Sequence, residues 1–157
     1  EKKIFFKYSK DYLPYQFLLI IIFLQIILGA LVSGLDAGMI YQTWPLMGDS
    51  YLPNDTLLIN LDSYINFNNQ SLMQFYHRNL AYLIIFYLIV LSLFIYRNRV
   101  KHLFKPLRYL LSILVLQIFL GIVTLLSGLN IFLASAHQIS SVLLIFSALN
   151  LYFFKVK

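Results

Sequence analysis

The chain has 157 residues, of which 61% are hydrophobic and 11% charged, with a mean hydropathy of +0.78. Soluble domains carry about a quarter charged residues, and a water-soluble core of this size has no room for so much apolar surface, whereas a bilayer takes it readily. The net charge of +6 raises nucleic acid as a partner, while the lack of cysteine removes disulfides, thiolate clusters and cysteine nucleophiles.

The chain opens at Glu1 rather than a methionine, as expected of a fragment or a processed piece. Lys2, Lys3, Lys7 and Lys10 precede a charge-free run between Asp11 and Asp36. That run is too long for a signal peptide and lacks its small-residue cleavage pattern, so it predicts a helix over 15–35 that stays as a membrane span. A long outer connection follows over 36–70, rich in Tyr, Asn and Asp, with Trp44, Pro45 and Pro53. Connections of this length are usually functional or form lids. Its stretch Met39 to Met47 suits an aromatic-anchored segment at the interface, either a simple anchor or a cover packed over the end of the bundle.

Ser71 with Gln74 three residues later reads as a capping box opening a second span over 71–96. A basic inner loop, 97–106, holds Arg97, Arg99, Lys101 and Lys105, with Arg108 just beyond it. The charge-free run that follows is long enough to cross twice. Gly128, Leu129 and Asn130 supply its turn, giving spans over 107–127 and 131–154. Lys155 and Lys157 close the chain. The expected architecture is all-α: one polytopic bundle of four transmembrane helices.

Eleven of the twelve basic residues fall on one side of these spans, and the other side holds Asp36, Asp49, Asp55 and Asp62 with only Arg78. Lys and Arg accumulate on cytoplasmic loops. Both termini are therefore expected on the cytoplasmic or matrix side, and the charge is a topology label rather than a footprint for nucleic acid.

The spans form a repeat. Leu24-Gln25-Ile26-Ile27-Leu28-Gly29 and Leu116-Gln117-Ile118-Phe119-Leu120-Gly121 agree at five of six positions, and each run reaches a Ser-Gly-Leu, at Ser33 and at Ser127. Each copy is followed by a returning helix with one histidine near its outer end. Corresponding helices run the same way, which predicts a repeated helix pair about an axis along the membrane normal. Gly29, Gly34, Gly38 and Gly121 permit close packing of helices or a flat ligand lying against them, and Gln25 and Gln117 suit hydrogen bonds across helices or contact with a ligand.

Of three histidines, His102 sits in the basic loop and reads as solvated. His77 and His137 lie inside spans, about 9 Å and about 10.5 Å past Ser71 and Asn130 at 1.5 Å per residue, hence at nearly equal depth. Ionisable side chains within a bilayer are costly and point to function. No cysteine, Asp or Glu accompanies them in the spans, so zinc and di-iron sites lack ligands. Two facing imidazoles suit haem, whose iron offers two axial positions, and a six-coordinate iron moves electrons rather than binding substrate. Arg78 reaches either a haem propionate or the headgroup region. No G-x-S-x-G is present to support a serine hydrolase.

The stretches Gly29-Ala30-Leu31-Val32-Ser33-Gly34-Leu35-Asp36-Ala37-Gly38, Thr43-Trp44-Pro45-Leu46-Met47-Gly48-Asp49, Gln74-Phe75-Tyr76-His77-Arg78-Asn79-Leu80-Ala81-Tyr82, Leu120 to Leu125 and Ala136-His137-Gln138 together resemble the haem A synthase family, in its alphaproteobacterial and mitochondrial branch. The resemblance covers nearly the whole chain but only the carboxy-terminal half of that family, whose members look like two four-helix bundles in tandem. It implies an oxidoreductase that converts the methyl group of haem O to the formyl group of haem A for cytochrome oxidase biogenesis. It further implies that His77 and His137 are axial ligands to the iron of a haem b, with Arg78 beside them. The substrate haem would belong to the amino-terminal bundle, so the catalytic residues are not assigned here. The partners it implies are the lipid bilayer, haem O and an electron donor, with haem O synthase and a homo-oligomer as further candidates and no nucleic acid; the location is the bacterial inner or mitochondrial inner membrane. Two other readings stand beside it: a non-catalytic bis-histidine electron-transfer cytochrome, and a transporter or channel module in which the histidines relay protons.

Overall fold

A computed structural model describes residues 9–55 and 64–157; Lys2, Lys3, Lys7 and Asp62 of the charge asymmetry lie outside the described residues. Four helices carry the fold: α1 (Leu13–Gly34), α2 (Gln70–Arg97), α3 (Phe104–Leu126) and α4 (Ile131–Val156), with short 3-10 turns at Ala37–Met39 and Lys101–Leu103. Each of the four is long and apolar enough to cross a membrane. The expected all-α membrane class is therefore the one observed, and among the described residues the only extended pairing is an isolated bridge between Met47 and Ser50.

Local chemistry sets the helix ends. Pro14 sits in the first turn of α1, where its missing N–H costs nothing. Between α3 and α4, Gly128 adopts φ +70, a left-handed conformation that glycine takes without a steric penalty, and the Leu129 N–H returns to the Thr124 carbonyl at 3.0 Å. The Asn130 side chain then caps α4, accepting from Phe132 and Leu133 N–H at 3.0 and 3.4 Å. The capping box expected at Ser71 does not form. Asn69 takes the cap instead, accepting from the Leu72 N–H at 2.9 Å. Ser71 and Gln74 are drawn away by loop partners: the Ser71 hydroxyl donates to Asp55, and the Gln74 amide donates to the Tyr41 carbonyl at 2.8 Å.

The helices pack as two hairpins, α1 with α2 and α3 with α4. The hairpins join through α1 against α4, while α2 and α3 touch little. One end of the bundle is basic, with Arg97, Arg99, Lys101 and Lys105; the other carries the long connection. The half nearest the basic end is dry: Leu18, Ile22, Leu88, Ile95, Leu107 and Leu151 are almost wholly inaccessible. Tyr152 is buried there as well and accepts from the Gln16 amide at 2.9 Å. Lipid is as apolar as leucine, so van der Waals fit rather than water exclusion holds this region together. Phe23, Phe86, Phe119 and Phe146, one per helix, are more than half exposed and point away from it. Toward the loop end the interior loosens, and Gln25, Gly29, His77, Gln117, Gly121 and His137 are only half-buried.

Candidate functional site

His77 and His137 both stand in this looser half. Counted from their actual caps, Asn69 and Asn130, they lie roughly 12 Å and roughly 10.5 Å along their helices. Each meets the same pair of residues on the helix before it. The Gln25 amide nitrogen donates to the His77 carbonyl at 3.0 Å and lies 3.2 and 3.3 Å from the ring Nδ1 and Nε2. The Gln117 amide donates to the His137 carbonyl at 3.1 Å and lies 3.5 Å from that ring's Nε2. One turn further along, a Cβ on Gly29 would stand 3.1 Å from His77 Cε1, and one on Gly121 would stand 2.9 Å from His137 Cε1. Residues four apart share a helix face, so each Gln and Gly form one cradle for one imidazole. The glycines thus serve close approach of a ring, where the sequence alone also allowed close approach of two backbones.

The two cradles differ in one respect. Ser140, one turn after His137, donates to Gln117 Oε1 and to the His137 carbonyl, the latter at 3.0 Å. The position one turn after His77 is Leu80, which has no hydroxyl. Among the described residues Gln25 Oε1 is buried without a partner, as are Gln74 Oε1, Thr124 Oγ1 and His137 Nδ1. These four atoms come from four different helices and all lie in the half away from the basic end. Leaving such atoms unsatisfied costs about 1–3 kcal/mol each, which a purely structural bundle would avoid. Among the described residues no three His, Cys, Asp or Glu gather around a common point. A porphyrin iron asks less of the protein, because it needs only two axial donors. Two imidazoles on separate helices, with Gln25 Oε1 and His137 Nδ1 unpaired among the described residues, fit a haem.

Arg78 points elsewhere than toward the ring beside it. Its guanidinium donates to the Leu46 carbonyl at 3.1 Å and to the Tyr41 carbonyl at 2.9 Å, leaving three of its five N–H groups for other partners. Gln74 shares the Tyr41 carbonyl, and Gln70 donates to the Leu35 carbonyl at 2.6 Å. The Tyr41 hydroxyl donates to Asp55 at 2.7 Å and accepts from the Asn54 N–H at 3.1 Å. Burial, followed by that bond to Asp55, raises the Tyr41 pKa above its ordinary value of 10.0. The connection is thereby stitched to the first turns of α2, with Met47 buried beneath it and Trp44 and Leu46 outward. His102 is exposed in the turn before α3. Two apolar grooves on the flanks of α1, the larger of about 600 Å³ and lined by Gln16, Leu19, Phe23 and Ile145, include neither intramembrane histidine. Sequence reasoning did not single out Ser140, Thr124 or the Tyr41–Asp55 pair; only the one-turn spacing of Ser140 from His137 offered a signal.

Residues 12–149 match a family described as cytochrome oxidase assembly protein, COX15-CtaA. The chain is 47% identical over 131 residues to the haem A synthase of Pelagibacter ubique (strain HTCC1062), a match covering 83% of this chain and 38% of that protein. It is 40% identical over 133 residues to the haem A synthase of Wolbachia pipientis wMel, covering 84% and 36% respectively. With the haem A synthase of Rickettsia prowazekii (strain Madrid E) the identity is 33% over 163 residues, covering 96% and 48%. The chain thus spans less than half the length of these relatives. No solved structure is a significant match to it.

Proposed function

The chain belongs to the haem A synthase family of cytochrome oxidase assembly proteins, and from that membership we propose that it is the haem b-binding, four-helix half of such an enzyme. The parent protein oxidises the methyl group of haem O to the formyl group of haem A. One observation supports the cofactor assignment above others: His77 and His137 occupy equivalent cradles on two helices that run in the same direction. Bound there, a haem supplies reversible one-electron transfer. The residues of the chain do the rest. His77 and His137 present a nitrogen each, and Gln25 ties α2 to α1 as Gln117 ties α4 to α3. Arg78 keeps the loop closed over the end of the site, with donors left over for a carboxylate such as a propionate.

The basic end faces the cytoplasm or matrix under the positive-inside rule, in a bacterial or mitochondrial inner membrane. The site then lies toward the opposite face, away from both termini. Haem O, an electron donor, haem O synthase and a second copy of the chain are the partners this reading brings with it.

The test is spectroscopic. Purified from membranes and reduced, the chain should show a low-spin bis-imidazole haem b. His77→Ala and His137→Ala should each remove most of it, and full haem content in both variants would end the ligand assignment. Supplying haem O to the full reading frame separates the enzyme from a plain electron-transfer cytochrome. Formation of haem A supports the enzyme, and unchanged haem O beside intact haem b supports the cytochrome.

A further inference from the structure

The connection between α1 and α2 lies along the flank of α2 rather than over its tip. Two donors from α2 reach one loop carbonyl: Gln74 bonds the Tyr41 oxygen at 2.8 Å and Arg78 bonds it at 2.9 Å, while Arg78 also bonds the Leu46 oxygen at 3.1 Å. Further on, the Tyr51 hydroxyl donates to Asn79, and the Tyr51 ring meets Phe75 edge-on with centroids 5.7 Å apart. Between these ties the chain turns tightly. The Thr43 hydroxyl donates to the Leu46 carbonyl at 2.9 Å and accepts from the Gly48 N–H at 2.8 Å. Met47 is thereby turned inward and buried, whereas Trp44 and Leu46 remain 46% and 42% exposed, and Tyr51 and Leu52 about as much.

The level of this strap follows from the length of α2. Its 28 residues extend about 42 Å at 1.5 Å per residue, against about 30 Å for the hydrocarbon core of a bilayer. With Arg97 at the basic boundary, about 30 Å of apolar medium is used up at His77 and Arg78, and the same count along α4 from Lys155 ends near Ser135. A strap bonded to Gln74, Arg78 and Asn79 therefore stands at the outer edge of the hydrocarbon and in the headgroup layer above it. Trp and Tyr concentrate at that level, because a ring with one polar edge suits a medium that is apolar below and wet above. No lysine or arginine lies between residues 36 and 55, so charge does not draw the strap to lipid.

We propose that the strap Tyr41–Leu52 is an interfacial membrane anchor, with Trp44 and Leu46 seated by apolar contact among the headgroups and upper acyl chains. One side of the strap closes on α2 through Met47 and the carbonyls held by Arg78, and the other side faces lipid. The anchor stands on the geometry of the strap and does not depend on a haem.

Trp44 is the only tryptophan of the chain, so its fluorescence reports on the strap without any substitution. In phosphatidylcholine nanodiscs carrying the full chain, its emission should be blue-shifted from that of tryptophan in water. Lipids brominated high on the acyl chain should quench it strongly, lipids brominated near the chain end weakly, and aqueous iodide hardly at all. Exchanging half of the phosphatidylcholine for anionic phosphatidylglycerol should leave this pattern unchanged. Leu46→Trp in a Trp44→Phe background should give the same order of quenching from the neighbouring position. Strong iodide quenching with no effect of bromine would place the strap in water and overturn the anchor. Protection from both quenchers would mean that protein covers Trp44, either a second copy or a further segment, and would overturn it equally. Quenching that appears only with anionic lipid would replace apolar seating by attraction to charge.

Discussion

Gly121 leaves its space to His137: a Cβ built there would come within 2.9 Å of the ring Cε1, where Gly29 would approach His77 only to 3.1 Å. Real Cβ atoms do not sit under 3.0 Å from a carbon, so Gly121→Ala forces the His137 ring to turn or α3 and α4 to part. Overpacking of this kind costs about 1–3 kcal/mol. Gly29→Ala is expected to be milder, because a few tenths of an ångström of yielding suffices. Haem content of the two variants, measured as the pyridine complex against protein mass, should fall more for Gly121→Ala. The opposite order would show that the closeness of backbone to ring does not govern the site.

Arg78 makes a separate prediction, since its two hydrogen bonds run to loop carbonyls. A bond from a charged donor is worth about 1.5–3 kcal/mol, and a lysine cannot span both carbonyls as a planar guanidinium does. Arg78→Lys should therefore loosen the connection nearly as much as Arg78→Ala. Limited proteolysis between Tyr41 and Asp55 reads this directly, with cleavage several-fold faster in both variants. Equal cleavage rates in wild type and Arg78→Ala would mean that the loop is held by Gln74 and Asp55 without it.

Much of this arrangement is legible in the sequence, for identifiable reasons. Charge-free runs long enough for a bilayer, broken by Gly128 and Asn130, leave few alternatives to four helices. His77 and His137 stand out because ionisable groups are scarce in such runs, and Gln25 and Gln117 stand out because a polar residue repeats at the same place in two apolar copies. What touches what is less legible. Whether a glycine admits a backbone, a ligand or an imidazole depends on the distance between two helices, which no spacing along one helix encodes. Asn69 displaced Ser71 as the cap of α2 because Ser71 and Gln74 have tertiary partners in an irregular loop. The bonds of Arg78 escaped notice for the same reason: their acceptors are main-chain oxygens, invisible to residue type.

The caps offer a stability test outside the site. Asn130 satisfies two N–H groups at the start of α4, and Asn69 one at the start of α2. Replacing an N-cap asparagine by alanine costs about 0.5–2 kcal/mol. Asn130→Ala should lower thermal stability in detergent by a few degrees, and Asn130→Asp should retain it, since the carboxylate also accepts these bonds and favours the positive end of the helix dipole. A loss in both variants would point to a role of the amide group other than capping.

The loop also carries a pH dependence whose sign follows from Tyr41. Its pKa is raised above 10.0, first by burial and then by its hydrogen bond to Asp55. A group whose folded pKa exceeds its unfolded value contributes stability that is complete below the unfolded pKa and is lost as pH rises through the folded one. Docking of the loop should therefore hold at neutral pH and fail only on the alkaline side of 10, where a phenolate would face the Asp55 carboxylate. In Tyr41→Phe no such loss can occur, but the bond to Asp55 is gone at every pH. Proteolysis of the loop as a function of pH should rise above pH 10 in the wild type. In Tyr41→Phe it should be faster at neutral pH and flat across the same range. A wild-type profile that steepens well below pH 10 would assign the opening to another group.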